Sequence, residues 1–425
     1  MQNLIGLTDI AYQPSTTSSG DFTLSTSLKC DYACIAIWNG ALYKQTEIRE
    51  DLERHFDILA DYEITWSKTF YGENIERLYE RPKREVPTDG WDRKIGPPPF
   101  RFFIVRDANP RYTWKRSVSG VIEPANEAVV AAKYRYRDLF PAKYQVHSSN
   151  NIEEFLFQST LILGPERLQA VLKGPILTHE VLHKDLEGAG GWDSWKQLFD
   201  VLNIGSKYLV LRNFEGLPHQ LLDQDIDFLC DNYQRLASLC GIKQNSNIPY
   251  KGSMIVNGTE LSVDIRFTGD KYFPAAWQET MLRRRQPRHG FYVPAPDDLF
   301  FSVLFHCKVQ KLKVKSKYVT DLTALARDLR FDWFDGTDLA DDFACGRILN
   351  GYMRARGFQY EAPLDRGVKQ NMLVIDMLPL SSCRPGEARA RTFREKLILA
   401  IRHPRKARDF LLKNVKTLAK KLTGL

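Results

Sequence analysis

Asp225-Ile226-Asp227-Phe228-Leu229 is the stretch on which the reading of this chain turns. Strand alternation sends Asp225 and Asp227 to one face and Ile226 and Phe228 to the other. Carboxylates that close repel each other, and a hard divalent cation, Mg²⁺ or Mn²⁺, removes the repulsion while also accepting phosphate oxygens. Further on, Leu261-Ser262-Val263-Asp264-Ile265-Arg266-Phe267 alternates in the same way and sets Asp264 on a polar face beside Ser262 and Arg266. Asp225, Asp227 and Asp264 are therefore the expected catalytic residues and metal ligands. Three acids on neighbouring strands suit two cations, one activating an attacking hydroxyl and one clamping the phosphoryl group in transit. On this reading Asp225→Ala and Asp264→Ala abolish transfer and magnesium binding and leave the melting temperature nearly unchanged.

Working outward, Gly188-Ala189-Gly190-Gly191 is a breaker, Trp192 to Leu202 reads as a helix, Tyr208-Leu209-Val210-Leu211 as a buried strand and Gly216-Leu217-Pro218 as a turn. After the D-x-D strand, Tyr233 to Cys240 reads as a helix. Ser253 to Phe267 reads as a hairpin whose turn, Asn257-Gly258, suits the positive φ angles of a type I′ turn. This order, with a third acid on the hairpin, resembles the polymerase-β-like nucleotidyltransferase superfamily over residues 186–330, about a third of the chain. The resemblance implies a mixed sheet with helices, metal-binding roles for the three acids and a nucleotide-activated donor. The chain departs from the family where Gly-Gly or Gly-Ser usually follows the first strand, because Leu211-Arg212-Asn213-Phe214-Glu215-Gly216 stands there. Arg212 and Asn213 are then expected to serve another phosphorylated donor, and Arg266 and Lys308 to neutralise its phosphates. Such a pocket looks like those of fukutin-type and choline-phosphate transferases, which move phospho-alditol or phosphocholine groups onto glycans. The expected function is thus transfer of a phosphorylated group onto a glycan or lipid-linked acceptor in cell-surface polysaccharide (capsule) biosynthesis. The alternatives are a nucleotidyltransferase acting on a small molecule or protein, and a non-catalytic nucleotide- or glycan-binding protein.

With 425 residues the chain has room for more than one core. Residues 28–174 alternate strand-like and helix-like segments: Cys34-Ile35-Ala36-Ile37-Trp38 as a strand, Ile48 to Tyr62 as a helix, Phe100 to Val105 as a strand. The expected class is α/β and α+β: an α/β domain, then the nucleotidyltransferase-like sheet, then a helical extension over 331–385. Residues 1–27 read as a disordered N-terminus around Gln13-Pro14-Ser15-Thr16, and 81–99 as a surface loop. Within the first domain, His147 and Ser148, in Gln145-Val146-His147-Ser148-Ser149-Asn150-Asn151, precede a helix from Ile152 to Leu163 and are candidates for contacting a phosphate or sugar. The competing reading makes Ser149 or Asn150 a helix cap and the Lys133-to-Arg137 run a solvated face.

His179-Glu180-Val181-Leu182-His183 is a literal H-E-x-x-H. On a helix its histidines share one face and bind zinc with Glu180 as base and Glu187 as a third ligand, which gives a zinc hydrolase as a minor alternative. The bland reading is an ordinary helix. His306, on the apolar Leu299-to-Val309 stretch, reads as a packed residue.

Seven cysteines without a C-x-x-C pair argue against a disulfide framework and against a cysteine-rich zinc site. No basic segment followed by an apolar run opens the sequence, and no membrane-length apolar run occurs, so a cytoplasmic protein is expected. Net charge is +8, yet Arg391 to Leu425 carries eleven Lys and Arg against two acids, so the rest is close to neutral. Residues 386–425 place Leu411, Val415, Leu418, Leu422 and Leu425 at helical spacing among lysines, the pattern of a basic amphipathic helix on an anionic inner membrane face. Nucleic acid is not expected as a partner, because the near-neutral body offers no extended basic groove. The remaining reading is a helix docked on its own domain or a partner.

Overall fold

The structure, a computed structural model, describes residues 13–16, 22–25, 29–80, 94–116, 122–174, 178–244, 250–311 and 314–381. The chain is of mixed α/β class. It divides into two units, one formed by residues 1–268 and 278–299, the other by 269–277 and 300–425.

The first unit begins with β1 (Gln13–Thr16) and β2 (Phe22–Ser25), then β3 (Asp31–Ile37), α1 (Gln45–His55), β4 (Asp57–Thr65), α2 (Tyr71–Leu78) and β5 (Phe100–Asp107). It continues through β6 (Tyr112–Arg116), β7 (Ile122–Asn126), α3 (Glu127–Asp138), β8 (Val146–Ser148), α4 (Ile152–Leu163), α5 (Pro165–Lys173) and β9 (Glu180–His183). Strands β3, β4, β5 and β8 with α1 and α3 make a β-α-β-β-α-β unit whose sheet order is β8-β3-β5-β4, antiparallel throughout, with β9 added parallel to β4. β3 is apolar on both faces because both are covered. Ala33, Ile35 and Ile37 pack with Ile48, Leu52, Val129 and Tyr136, while Cys34 and Ala36 join Phe102, Ile104, Phe155 and Leu156 in a second core.

That second core does not stop at the first sheet. It runs on through Trp192, Phe199 and Leu202 to Ile226, Phe228, Val263 and Ile265 of a second five-stranded sheet. The second sheet is reached through α6 (Trp195–Gly205) and contains β10 (Tyr208–Val210), β11 (Asp225–Cys230), β12 (Lys243–Gln244), β13 (Lys251–Val256) and β14 (Thr259–Phe267), in the order β10-β11-β14-β13-β12. α7 (Tyr233–Cys240) follows β11 and closes on Gly241 in the left-handed region. The hairpin turn is Asn257-Gly258, both at positive φ. A further hairpin joins β15 (Gln286–Arg288) and β16 (Phe291–Val293).

The second unit is helical and aromatic. It contains Ser316–Asp328, Asp342–Arg356 and Met372–Ile375. Its interior stacks Trp277 on Phe358 at 5.6 Å and Phe301 on Tyr352 at 3.7 Å between ring centroids.

Four sequence expectations change. The helix expected from Ile48 to Tyr62 ends at His55, and Asp57–Thr65 is a strand. Ile58 to Tyr62 serve helix and strand periods alike, and pairing with β5 decides for the strand. Gln13–Thr16, expected within a disordered N-terminus, is a strand paired with β2. The helix expected from Trp192 starts at Trp195, capped by the Ser194 side chain, because Trp192 itself bridges to Val256 of β13. The H-E-x-x-H segment is the edge strand β9 rather than a helix. Residues 81–93 of the expected loop, and the basic stretch 386–425, lie outside the described residues. No helix among the described residues is long and apolar enough to cross a membrane.

Candidate active site

β11 and β14 run parallel, with Asp225 opposite Ser262 and Asp227 opposite Asp264. β13 runs antiparallel to β14 on its other side and sets Lys251 opposite Asp264. One row across three strands therefore reads Asp227, Asp264, Lys251. The row two residues away reads Asp225, Ser262, Ser253, Lys243 and shares its face. The other face carries Ile226, Phe228, Val263 and Ile265, whose burial in the shared core fixes the register and with it the direction of every acid.

The acids are not bare. Arg212 Nη2 lies 2.9 Å from Asp227 Oδ1, Arg266 Nη2 donates to Asp264 Oδ2 at 2.9 Å, and Lys251 Nζ lies 3.0 Å from the same oxygen. Arg266 Nε is 2.9 Å from Asp264 Oδ1, close enough for ion pairing but without hydrogen-bond geometry, so this buried oxygen has no hydrogen-bond donor among the described residues. Asp227, Asp264 and Arg266 are buried, and Asp225 is half-buried. Burial pushes the Asp227 carboxyl above its ordinary range. Arg212 opposes that shift, and the charges of Asp264 and Asp225 add to it. Asn213 stands at φ +59°, in the loop that leaves β10, directly after Arg212. Leu211 N donates to Asp227 O at 2.9 Å, which holds that loop against the acid strand.

No protein-family model matches this chain, and no curated protein matches it.

Three of the expected substrate-binding positions, His147, Ser148 and Lys308, fall elsewhere. His147 and Ser148 lie on β8, point to opposite faces of it and are both buried. His147 Nε2 is 2.9 Å from Gln158 Oε1, and burial drives its imidazole down to about 3. Asn151 caps α4 by accepting from Glu154 N, one residue beyond the expected caps. The Lys133-to-Arg137 run is a solvated face only in part, with Tyr134 and Arg135 exposed. Lys133 is buried against Asn150 Oδ1 at 2.6 Å, burial lowers its ammonium to about 8, and Arg137 donates to Val146 O. Lys308 lies in the second unit, donating to Leu339 O at 2.9 Å and pairing with Asp342. There His306 Nδ1 is 2.8 Å from the Tyr272 hydroxyl. Arg284 pairs with Asp297 and Asp298.

The zinc reading loses its geometry. Four residues along an extended strand put His179 and His183 about 13 Å apart, whereas a helix would make them neighbours. Glu180 pairs with Arg167, and Glu187 with Lys184 at 2.6 Å. Among the described residues no group of three or more His, Cys, Asp or Glu side chains is arranged to hold a metal ion. A cleft lined by Phe70, Gly190, Lys243, Ser253 and Glu260 opens at the edge of β13, beside the second row rather than the first. Sequence reasoning missed Lys251 as a site residue. Its signal was its place at the start of the hairpin strand, which pairs it with Asp264 only once the Asn257-Gly258 turn sets the register.

Proposed function

We propose that this chain is a divalent-cation-dependent transferase that moves a phosphorylated group, nucleotidyl or phospho-alditol, onto a glycan or lipid-linked acceptor. The observation that carries this reading is the in-register pairing of Asp227 with Asp264, with Asp225 on the same face one row away. The element order around it, which resembles that of polymerase-β-like nucleotidyltransferases, supports the same reading.

The donor set suits a hard cation: carboxylate oxygens on adjacent strands, one of them, Asp264 Oδ1, buried without a hydrogen-bond donor. No three acids among the described residues form a finished metal site; Asp227 and Asp264 would hold the cation, with Asp225 one row away, and when bound it would supply charge neutralisation at the phosphate and activate the attacking hydroxyl. The protein's own residues do the remaining work. Arg212 and Lys251, which now pair with Asp227 and Asp264, would bind donor phosphates by charge-assisted hydrogen bonds. Arg266, buried beside Asp264, holds that carboxylate in orientation. The apolar face beneath fixes all of them on strands, where positions are held more tightly than on loops.

A second reading is favoured by the ion pairs themselves. Arg212 on Asp227, and Arg266 with Lys251 on Asp264, already neutralise the acids, as in a domain that binds nucleotide or glycan without turnover. Incubating the full chain with labelled nucleoside triphosphates and CDP-alditols in Mg²⁺ separates the cases. Pyrophosphate release marks nucleotidyl transfer, CMP release marks phospho-alditol transfer, and binding with neither product supports the binder.

A further inference from the structure

The polar face of the second sheet does not end at the acids. Beyond the row of Asp225, Ser262, Ser253 and Lys243 it continues to Glu260 and Ile255, register partners on β14 and β13. There it meets the cleft, whose opposite wall is Phe70 and Glu73 at the start of α2.

Buried groups fasten the walls of this cleft together. Arg77, on α2 and 3% exposed, donates through Nε to Ser238 O at 2.8 Å and through Nη2 to Glu187 O at 2.7 Å and Leu239 O at 2.9 Å. One guanidinium thus ties α2 to the end of α7 and to the start of the Gly188-to-Gly191 loop. Trp192, which follows that loop, donates from its indole to Cys240 O and from its amide to Ile255 O, both at 2.9 Å. The loop itself touches both sides: a Cβ on Gly190 would lie 2.9 Å from the Phe70 ring, and one on Gly191 3.0 Å from the Ile255 side chain. A cleft held in this way is formed before any ligand arrives.

Its size and charge restrict what can enter. Water centres have about 80 Å³ to move in, which at about 10–15 Å³ each is room for roughly five to eight waters. That suits one sugar ring and is too little for a nucleotide. Glu73 and Glu260 stand beside Lys243, so a phosphate would meet the acids and an amine the lysine. A neutral hydroxyl can donate to the first and accept from the second. Glu260 accepts from Ser253 Oγ at Oε1, at 2.6 Å, and its Oε2 has no partner among the described residues. Phe70 and Ile255, both half-buried, offer apolar surface to the carbon side of a ring.

An unpaired donor lies at the inner end. A recess of about 10 Å³, enough for one oxygen, shares Glu73, Gly241 and Lys243 with the cleft and is lined by Arg77. Arg77 Nη1 is buried with no hydrogen-bond acceptor among the described residues. Gly241 keeps the recess open, since a Cβ there would lie 3.7 Å from that nitrogen.

We propose that this cleft is a carbohydrate subsite that takes one neutral sugar unit, with hydroxyls on Glu260, Lys243 and Arg77 Nη1 and its ring against Phe70 and Ile255. Ser253 stands two strands from Asp225 in one row, a separation of about 10 Å. On the transferase reading above, on which this last step alone rests, the sugar in the cleft is not the unit modified but one further back in the acceptor chain.

The amides of Gly190, Gly191 and Gly241 line the cleft and report on it. The full chain, labelled with ¹⁵N-glycine, is titrated with glucose, galactose and N-acetylglucosamine without metal or nucleotide, and its amide shifts are followed by NMR. At least one of these sugars is expected to shift the three amides saturably, with a Kd on the order of 1–10 mM. Glucuronate and glucose 6-phosphate should bind roughly tenfold more weakly, because each brings an anion to the acids. Glu260→Gln keeps the bond from Ser253 and should weaken the sugar about threefold, as a charged acceptor becomes a neutral one. Ser253→Phe fills the cleft and should abolish the shifts, and both variants should melt within a few degrees of the wild type. The proposal is overturned if no neutral sugar shifts these amides up to concentrations tenfold above that range, if the anionic sugars bind as well, or if either variant binds like the wild type. Each of these leaves the transferase reading standing, since neither donor nor cation is present. Conversely, absence of pyrophosphate and CMP release in the labelled-donor incubation removes that reading and leaves the subsite.

Discussion

Asp227 and Asp264 face each other as register partners on parallel strands, and each is also bound to an arginine of its own. The consequence is that removing either acid does two things. Asp227→Asn and Asp264→Asn keep shape and most hydrogen-bonding capacity, and transfer should fall by roughly 10²–10³, the scale of losing one group that stabilises transition-state charge. Asp264→Ala also strands the buried Arg266 cation and should cost about 3–5 kcal/mol of stability. The sequence alone suggested an unchanged melting temperature for that variant. The ion pair reverses the expectation, and denaturant titration of Asn and Ala variants side by side checks it.

Asp225 behaves differently because it is half-buried, and its side chain makes no hydrogen bond or ion pair among the described residues. Asp225→Ala should lose activity with Mg²⁺ while its stability stays within about 0.5 kcal/mol of the wild type, as for other uncommitted surface positions. Full activity of this variant, measured as product release over time, would remove Asp225 from the site.

The H-E-x-x-H segment should hold no zinc. Elemental analysis of purified protein is expected to give far less than one zinc per chain, unchanged in His179→Ala and His183→Ala. Stoichiometric zinc lost in either variant would restore the hydrolase alternative.

His147 gives the stability a defined dependence on acid. Its imidazole is lowered from 6.5 to about 3 by burial, so below pH 6.5 the unfolded chain binds a proton that the folded chain refuses until about pH 3. Stability is therefore fully present above pH 6.5 and is lost as pH falls through that window. His147→Gln lacks the titration. At pH 4.5 the variant's loss relative to pH 7 should be smaller than the wild type's by about 2–3 kcal/mol, read from urea midpoints. Equal losses would show that His147 is charged within the fold.

The hairpin at Asn257-Gly258, the helix Tyr233–Cys240 and the D-x-D strand were legible because each is a local statement. Two residues that accept positive φ, one helical period and one alternation suffice for them. The β9 strand was not legible. Glu180 to His183 makes no local commitment, and only pairing with β4, more than a hundred residues earlier, draws it into extended form. The same holds for Asp57 to Thr65, whose apolar residues satisfy a helix until β5 arrives beside them.

The sequence by itself determined that Asp225, Asp227 and Asp264 stand on polar strand faces, since alternation with Ile226, Phe228, Val263 and Ile265 leaves them no other side. Only the tertiary structure decided that Asp227 and Asp264 meet in one row, that Arg212, Arg266 and Lys251 close on them, and that His147 is buried rather than offered to a ligand. The reason is physical. Periodicity reports which way a side chain leaves its own backbone, whereas the identity of its neighbour depends on the register of another strand, set by contacts distant in sequence.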